Sequence, residues 1–201
     1  MINQTMDLQH IRINTAGAYV TLNGLYLFAL GIRPHNGNIP VVRLGGHREG
    51  HETGWQCAIR EVYEEANLHI RPLLPPATYM LNWEQLEAEP QEIRWQPEIE
   101  GEPFPFLIVR YQGGKDLQLS LMYLAQTEGV PTPSSEVRGL ILLREHELHR
   151  LCQERLTLGQ YLDEGGQAIL SEEFDHSLLL ESFAQLRLLS RLLKIKPPVL
   201  K

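Results

Sequence analysis

Apolar runs and polar breaks divide the chain into a strand-rich early part, one amphipathic helix inside it, and a helical late part. Ala18–Leu22 and Leu25–Ile32 are apolar and rich in β-formers, and Asn23-Gly24 between them is a strong hairpin signal. Ile39–Leu44 reads as a further strand, followed by a polar, glycine-containing loop over Gly45–Glu52. Thr53–Ala66 then reads as a helix. Ala58, Ile59, Val62 and Ala66 recur at helical spacing, Thr53 and Gln56 fit a capping box, and Asn67 stands where a left-handed residue commonly ends a helix. Leu68–Leu73, Thr78–Trp83, Phe106–Gln112, Leu117–Gln126 and Val137–Leu143 are strand candidates, the third and fourth joined by Gly113-Gly114. From Glu145 the pattern turns helical, most clearly over His176–Lys194, where Leu179, Phe183, Leu186, Leu189 and Leu193 form one stripe. Strands around an early helix, with helices at the end, predict a mixed α/β sandwich.

Composition narrows the class. The chain has 201 residues, enough for one domain with an extension, and 43% of them are hydrophobic. Its formal net charge of −7 argues against a nucleic-acid or anionic-membrane surface. A small phosphorylated substrate stays compatible, because a bound cation reverses the field of an acidic site. Two cysteines, Cys57 and Cys152, give no disulfide framework, and the longest apolar stretch is too short to span a bilayer. The polar stretch Met1–His10 lacks the features of a secretion signal, so the expected location is the cytoplasm. Between Trp83 and Glu102, seven glutamates face the single Arg94, which reads as a solvated acidic insertion.

The chemistry concentrates on the early helix. Glu61, Glu64 and Glu65 stand at i, i+3 and i+4 and share one face. Clustered carboxylates suit a hard cation such as Mg²⁺ or Mn²⁺, although the same spacing is common on solvated helix faces. Glu52 lies one loop earlier, Arg60 precedes Glu64 by one turn, and the glycines before the loop permit close backbone approach.

The order of these residues is more specific than their composition. Gly46, five residues, Glu52, seven residues, Arg60-Glu61, Val62, one residue, Glu64-Glu65, two residues and Leu68 span 23 positions and resemble the Nudix box. Asn67 replaces the usual glycine, and Leu44 stands where many members carry proline. The resemblance implies a Nudix-type α/β/α sandwich with a mixed β-sheet. Residues 1–150 would form the Nudix domain, with the acidic insertion at about 83–104, and residues 151–201 a helical C-terminal extension packed on it. Glu61, Glu64 and Glu65 would be metal ligands, the Gly46 carbonyl a further one, and Arg60 with Glu52 the supporting pair. The implied activity is Mg²⁺- or Mn²⁺-dependent attack of water on a phosphoanhydride bond of a nucleoside-diphosphate derivative. The general base would be a box glutamate or Glu136, which otherwise reads as a loop residue capping a strand.

Other residues have plainer readings. Trp83, Trp95, Phe104 and Phe106 either stack on a base or pack on the scaffold, with packing favoured. His47 and His51 read as exposed loop residues, and Cys57 as a small apolar helix residue. The late leucine stripe reads as core, with a homodimer contact as the alternative. A non-catalytic Nudix module that binds a nucleotide as a sensor is the competing function, but a pure binder need not retain all four glutamates. An isomerase of an isoprenoid diphosphate has no specific support.

Overall fold

The computed structural model describes residues 11–31, 37–113, 116–134, 137–171 and 173–195. Strand β1 (Ile11–Leu22) turns through Asn23-Gly24 into β2 (Leu25–Leu30), with Val20 opposite Leu27 and Leu22 opposite Leu25. Both turn residues have positive φ, 51° and 79°, as the commonest two-residue hairpin turn requires. Ile32, the expected end of that second strand, lies outside the described residues.

Ten further strands join the sheet among the described residues. They are β3 (Ile39–Val42), β4 (Leu44–His47), β5 (Arg71–Pro72), β6 (Thr78–Asn82), β7 (Gln91–Ile93), β8 (Leu107–Gly113), β9 (Asp116–Gln126), β10 (Gly139–Leu143), β11 (Gln167–Leu170) and β12 (Leu180–Ser182). The main path runs β11-β10-β2-β1-β9-β8-β6-β7. It is mixed: β1 lies parallel to β9 and β6 parallel to β8, while β8–β9 and β2–β10 are antiparallel.

Central strands bury both faces, which explains their continuous apolar runs. On one face Ala16, Ala18, Val20, Leu121 and Tyr123 meet Trp55, Cys57, Ala58, Val62 and Ala66 of helix α1 (Gly54–Ala66). On the other, Tyr19, Phe28, Met122, Leu124 and Ile141 meet α2 (Glu145–Leu151), α3 (Leu158–Asp163) and α4 (Ala184–Ile195). Each fully buried large apolar side chain contributes about 1.5–3 kcal/mol, so the sheet and the helix that carries the glutamates are fixed by the same core. The result is an α/β/α sandwich. Among the described residues, no helix is long and apolar enough to cross a membrane.

Three stretches differ from the pattern reading. The strand expected over Ile39–Leu44 divides at Arg43, and the expected loop begins as β4, which pairs with β1 from Thr15–His47 to Ala18–Leu44. Gly17 and Gly45 permit this, because a Cβ on either would strike the other strand's backbone. The helix expected from His176 begins at Ala184. Before it, Leu180–Ser182 pairs in parallel with β3, burying Leu180 and Ser182. Segment 151–201 therefore supplies β11 and β12 to the sheet as well as α3 and α4. Within α4 the expected stripe holds, with Leu186, Leu189 and Leu193 buried. The acidic stretch, finally, is structured: it contains a single 3₁₀ turn (Trp83–Gln85) and β7, and Ile93 and Trp95 pack against the α1-side core.

Candidate active site

Helix α1 is set by local signals at both ends. Thr53 Oγ1 accepts the Gln56 N–H at 3.2 Å and Gln56 Oε1 accepts the Thr53 N–H at 2.9 Å, closing the expected capping box. Asn67 adopts φ 54°, ψ 40° and gives its N–H to the Tyr63 carbonyl, so asparagine takes the left-handed cap at the position where the box usually has glycine.

Arg60 is the hub of the acidic cluster. Its Nε and Nη2 bind the two oxygens of Glu52 at 3.1 and 2.8 Å. Nη1 binds Glu64 Oε2 at 2.7 Å and lies 3.0 Å from Glu61 Oε1, so these two carboxylates converge on one nitrogen. Nη2 also donates to the His47 carbonyl at 2.8 Å, tying the loop before α1 to the helix. Glu65 accepts the Gly45 N–H at 2.8 Å. Gly46 lies directly against the Glu61 carboxylate, in space that a Cβ would fill. The structure thus brings Gly46, Glu52, Arg60, Glu61, Glu64 and Glu65 into one region. Among the described residues, no three carboxylate, imidazole or thiol groups form a ready metal cage.

The electrostatics divide the glutamates. Burial pushes the Glu61 carboxyl above its usual range; the neighbouring Arg60 opposes this. Glu52 is held below the usual range, chiefly by its hydrogen bonds from Arg60. Glu64 has a side chain 42% exposed against 10% for Glu61, so it is the member open to solvent. Burial lifts the Cys57 thiol to about 12, which leaves it protonated at neutral pH and fits an inert helix residue.

Other expected residues fall elsewhere. Glu136 lies outside the described residues; nearby, the Thr132 and Ser134 N–H groups bond the carbonyls of Ala66 and Glu65 at the end of α1. Phe106 is fully buried, with its ring 5.9 Å from Tyr79, and is core. Trp83 and Phe104 are exposed, Trp95 is partly buried, and His47 and His51 are exposed.

Two features escaped the sequence reading. Arg43 reaches behind the box, donating to the Ala16 carbonyl at 3.4 Å and feeling the charges of Glu65 and Glu61. An arginine ending an apolar run just before Leu44-Gly45-Gly46 was its only signal. The second is a clamp from the acidic insertion. Glu98 accepts the Gly54 N–H at 2.8 Å and pairs with Arg48 at 2.9 Å, and Glu102 accepts the Thr53 hydroxyl at 2.6 Å. Both carboxylates sit at the positive end of α1. Glu98→Ala should therefore lower stability by about 1–2 kcal/mol in chemical denaturation, the scale of a lost N-terminal cap. An unchanged midpoint would show the clamp to be energetically idle.

No family model matches the chain, and no curated protein does. Among solved structures it is similar to a Nudix-family hydrolase from Clostridium perfringens, at 21% identity over 68% of this chain and 83% of that one, with TM-score 0.44. It is also similar to the Ap4A hydrolase of C. elegans in a binary complex, at 17% identity over 67% and 81%, with TM-score 0.42. A third similar structure is the MutT protein from Methanosarcina mazei Go1, at 13% identity over 73% and 86%, with TM-score 0.45. These likenesses concern the fold and are partial. By its own geometry the chain is an α/β/α sandwich with a mixed sheet between helix layers, in which residues 46–68 form the end of β4, a loop, the capped helix α1 and the turn that follows it.

Proposed function

We propose that this protein is a divalent-metal-dependent hydrolase that cleaves a phosphoanhydride bond in a nucleoside-diphosphate-linked substrate. The observation that supports this most is the convergence of Glu61 and Glu64 on a single nitrogen of Arg60, beside the close approach of Gly46 to Glu61. Burying a carboxylate such as Glu61 is costly unless a cation compensates it. The donors available are all oxygens, the set that Mg²⁺ and Mn²⁺ prefer. The residues present therefore fit such an ion, and Glu61, Glu64, Glu65 and the Gly46 carbonyl would hold it. When bound, the ion would neutralise charge on the phosphate oxygens and favour formation of hydroxide from water.

The chain's own groups do the rest by positioning. Glu52 anchors Arg60 through both its oxygens, so the guanidinium keeps its place as the carboxylates it orients take up a ligand. The Gly45 N–H fixes Glu65. Two candidates stand for the group that takes the proton from water: Glu64, the most open of the cluster, and Glu136. Catalysis of this kind depends on placement and electrostatics more than on covalent chemistry by the protein.

The test is turnover of ADP-ribose, NADH, dinucleoside polyphosphates, nucleotide sugars and nucleoside triphosphates, each with Mg²⁺ or Mn²⁺ and with a chelator. Hydrolysis of at least one, abolished by chelation, is expected. Tight binding of one of them without turnover would instead identify a nucleotide-binding sensor.

A further inference from the structure

We propose, taking the hydrolase assignment above as given, that the groove between the box loop and residues 93–98 holds the nucleoside-phosphate part of the ligand. The groove has a volume of about 710 Å³, within the range of small-molecule sites. Its apolar lining comes from Ile13, Leu119 and Ile93, which also pack on the α1-side core. Trp95 lines it too and is only partly buried, so the ring is not consumed by the core.

Charge distinguishes this groove from an ordinary crease. Three arginines, Arg12, Arg48 and Arg94, line it against one carboxylate, Glu98, in a chain of net charge −7. Arg12 pairs with Asp116 at 3.0 Å and Arg48 with Glu98 at 2.9 Å. Arg94 is exposed and makes no hydrogen bond or ion pair among the described residues. The Arg48 Nε is buried and has no hydrogen-bond partner among the described residues. An arginine with donors to spare matches phosphate oxygens, and an indole offers the stacking surface a base requires. A purely apolar ligand would leave the cations unused, and a bare phosphate would leave the indole unused.

Position links the groove to the cluster. The His47 carbonyl holds Arg60, and the next residue, Arg48, lines the groove together with Gly50. One loop therefore serves both, which suits a substrate with its scissile anhydride at the carboxylates and its nucleoside end in the groove.

The test is calorimetric titration of the full-length chain with ADP, adenosine and inorganic pyrophosphate in metal-free buffer. ADP should bind more tightly than either fragment. Arg94→Ala and Trp95→Leu should each weaken ADP about tenfold, ~1.4 kcal/mol. Arg94 is exposed, so its variant keeps the test valid if Trp95→Leu unfolds. The proposal is overturned if millimolar ADP does not bind, if pyrophosphate alone binds as well as ADP, or if Arg94→Ala binds ADP like the parent. The two assignments fail separately. ADP binding that depends on Arg94, without turnover of any substrate, would keep the groove and remove the hydrolase. Turnover with KM unaffected by Arg94→Ala would keep the hydrolase and remove the groove.

Discussion

Glu64→Gln is expected to reduce turnover at least a hundredfold, about 2.7 kcal/mol on the barrier, while the protein unfolds at nearly the parental temperature. The reasoning joins exposure to chemistry. Glu64 is the most solvent-open member of the cluster, and among the described residues its side chain bonds to Arg60 on the surface of α1. Exposed ion pairs at i, i+4 stabilise by only about 0.3–0.5 kcal/mol, so the fold loses little. The reaction loses an anionic oxygen at the point where a cation and a proton must be managed. Steady-state kinetics on whichever substrate is turned over, beside a melting curve, provides the check. An active Glu64→Gln enzyme would remove this residue from the site.

Gly45→Ala should have the opposite profile, with a loss of stability of roughly 3–5 kcal/mol from left-handed strain and overpacking together. Gly45 has φ 143°, and an added Cβ would collide with Arg43 Nη1, the Gly17 Cα and the Ala16 carbonyl. Backbone on two sides cannot give way as a flexible side chain can. At about 2–4 °C per kcal/mol for a chain of this size, the melting temperature should fall by on the order of 10 °C. Gly50→Ala is the internal control. Its φ is also positive, at 51°, but nothing lies within 4 Å of the added Cβ, so the strain is not compounded by a clash. Equal effects of the two substitutions would show that the close packing of β1 on β4 contributes nothing.

What could be read from sequence was local. The Asn23-Gly24 turn, the Thr53–Gln56 capping box and the Asn67 cap each involve residues at most four apart, and each is present. The box order was legible for the same reason: its glutamates share a face through helical spacing, and Arg60 reaches Glu64 within one turn. What escaped was long-range. The clamp joins Glu98 and Glu102 to Gly54 and Thr53 across 44 and 49 residues, so the acidic run looked like a solvated loop. Strand β12 exists because β3, far earlier in the chain, offers an edge to Leu180–Ser182, a partner that the leucine periodicity of the region could not reveal. Arg43 gave little warning because its role depends on the later packing of α1 against β4.

The most direct test of the glutamate cluster as a divalent-cation site is Mn²⁺ binding followed by electron paramagnetic resonance. The parent protein is expected to bind the ion, and Glu61→Gln and Glu64→Gln should each weaken that binding by more than about tenfold, with melting curves confirming that both variants are folded. Parental Mn²⁺ affinity in both folded variants would contradict the assignment and place the cation, if one is used, elsewhere in the molecule.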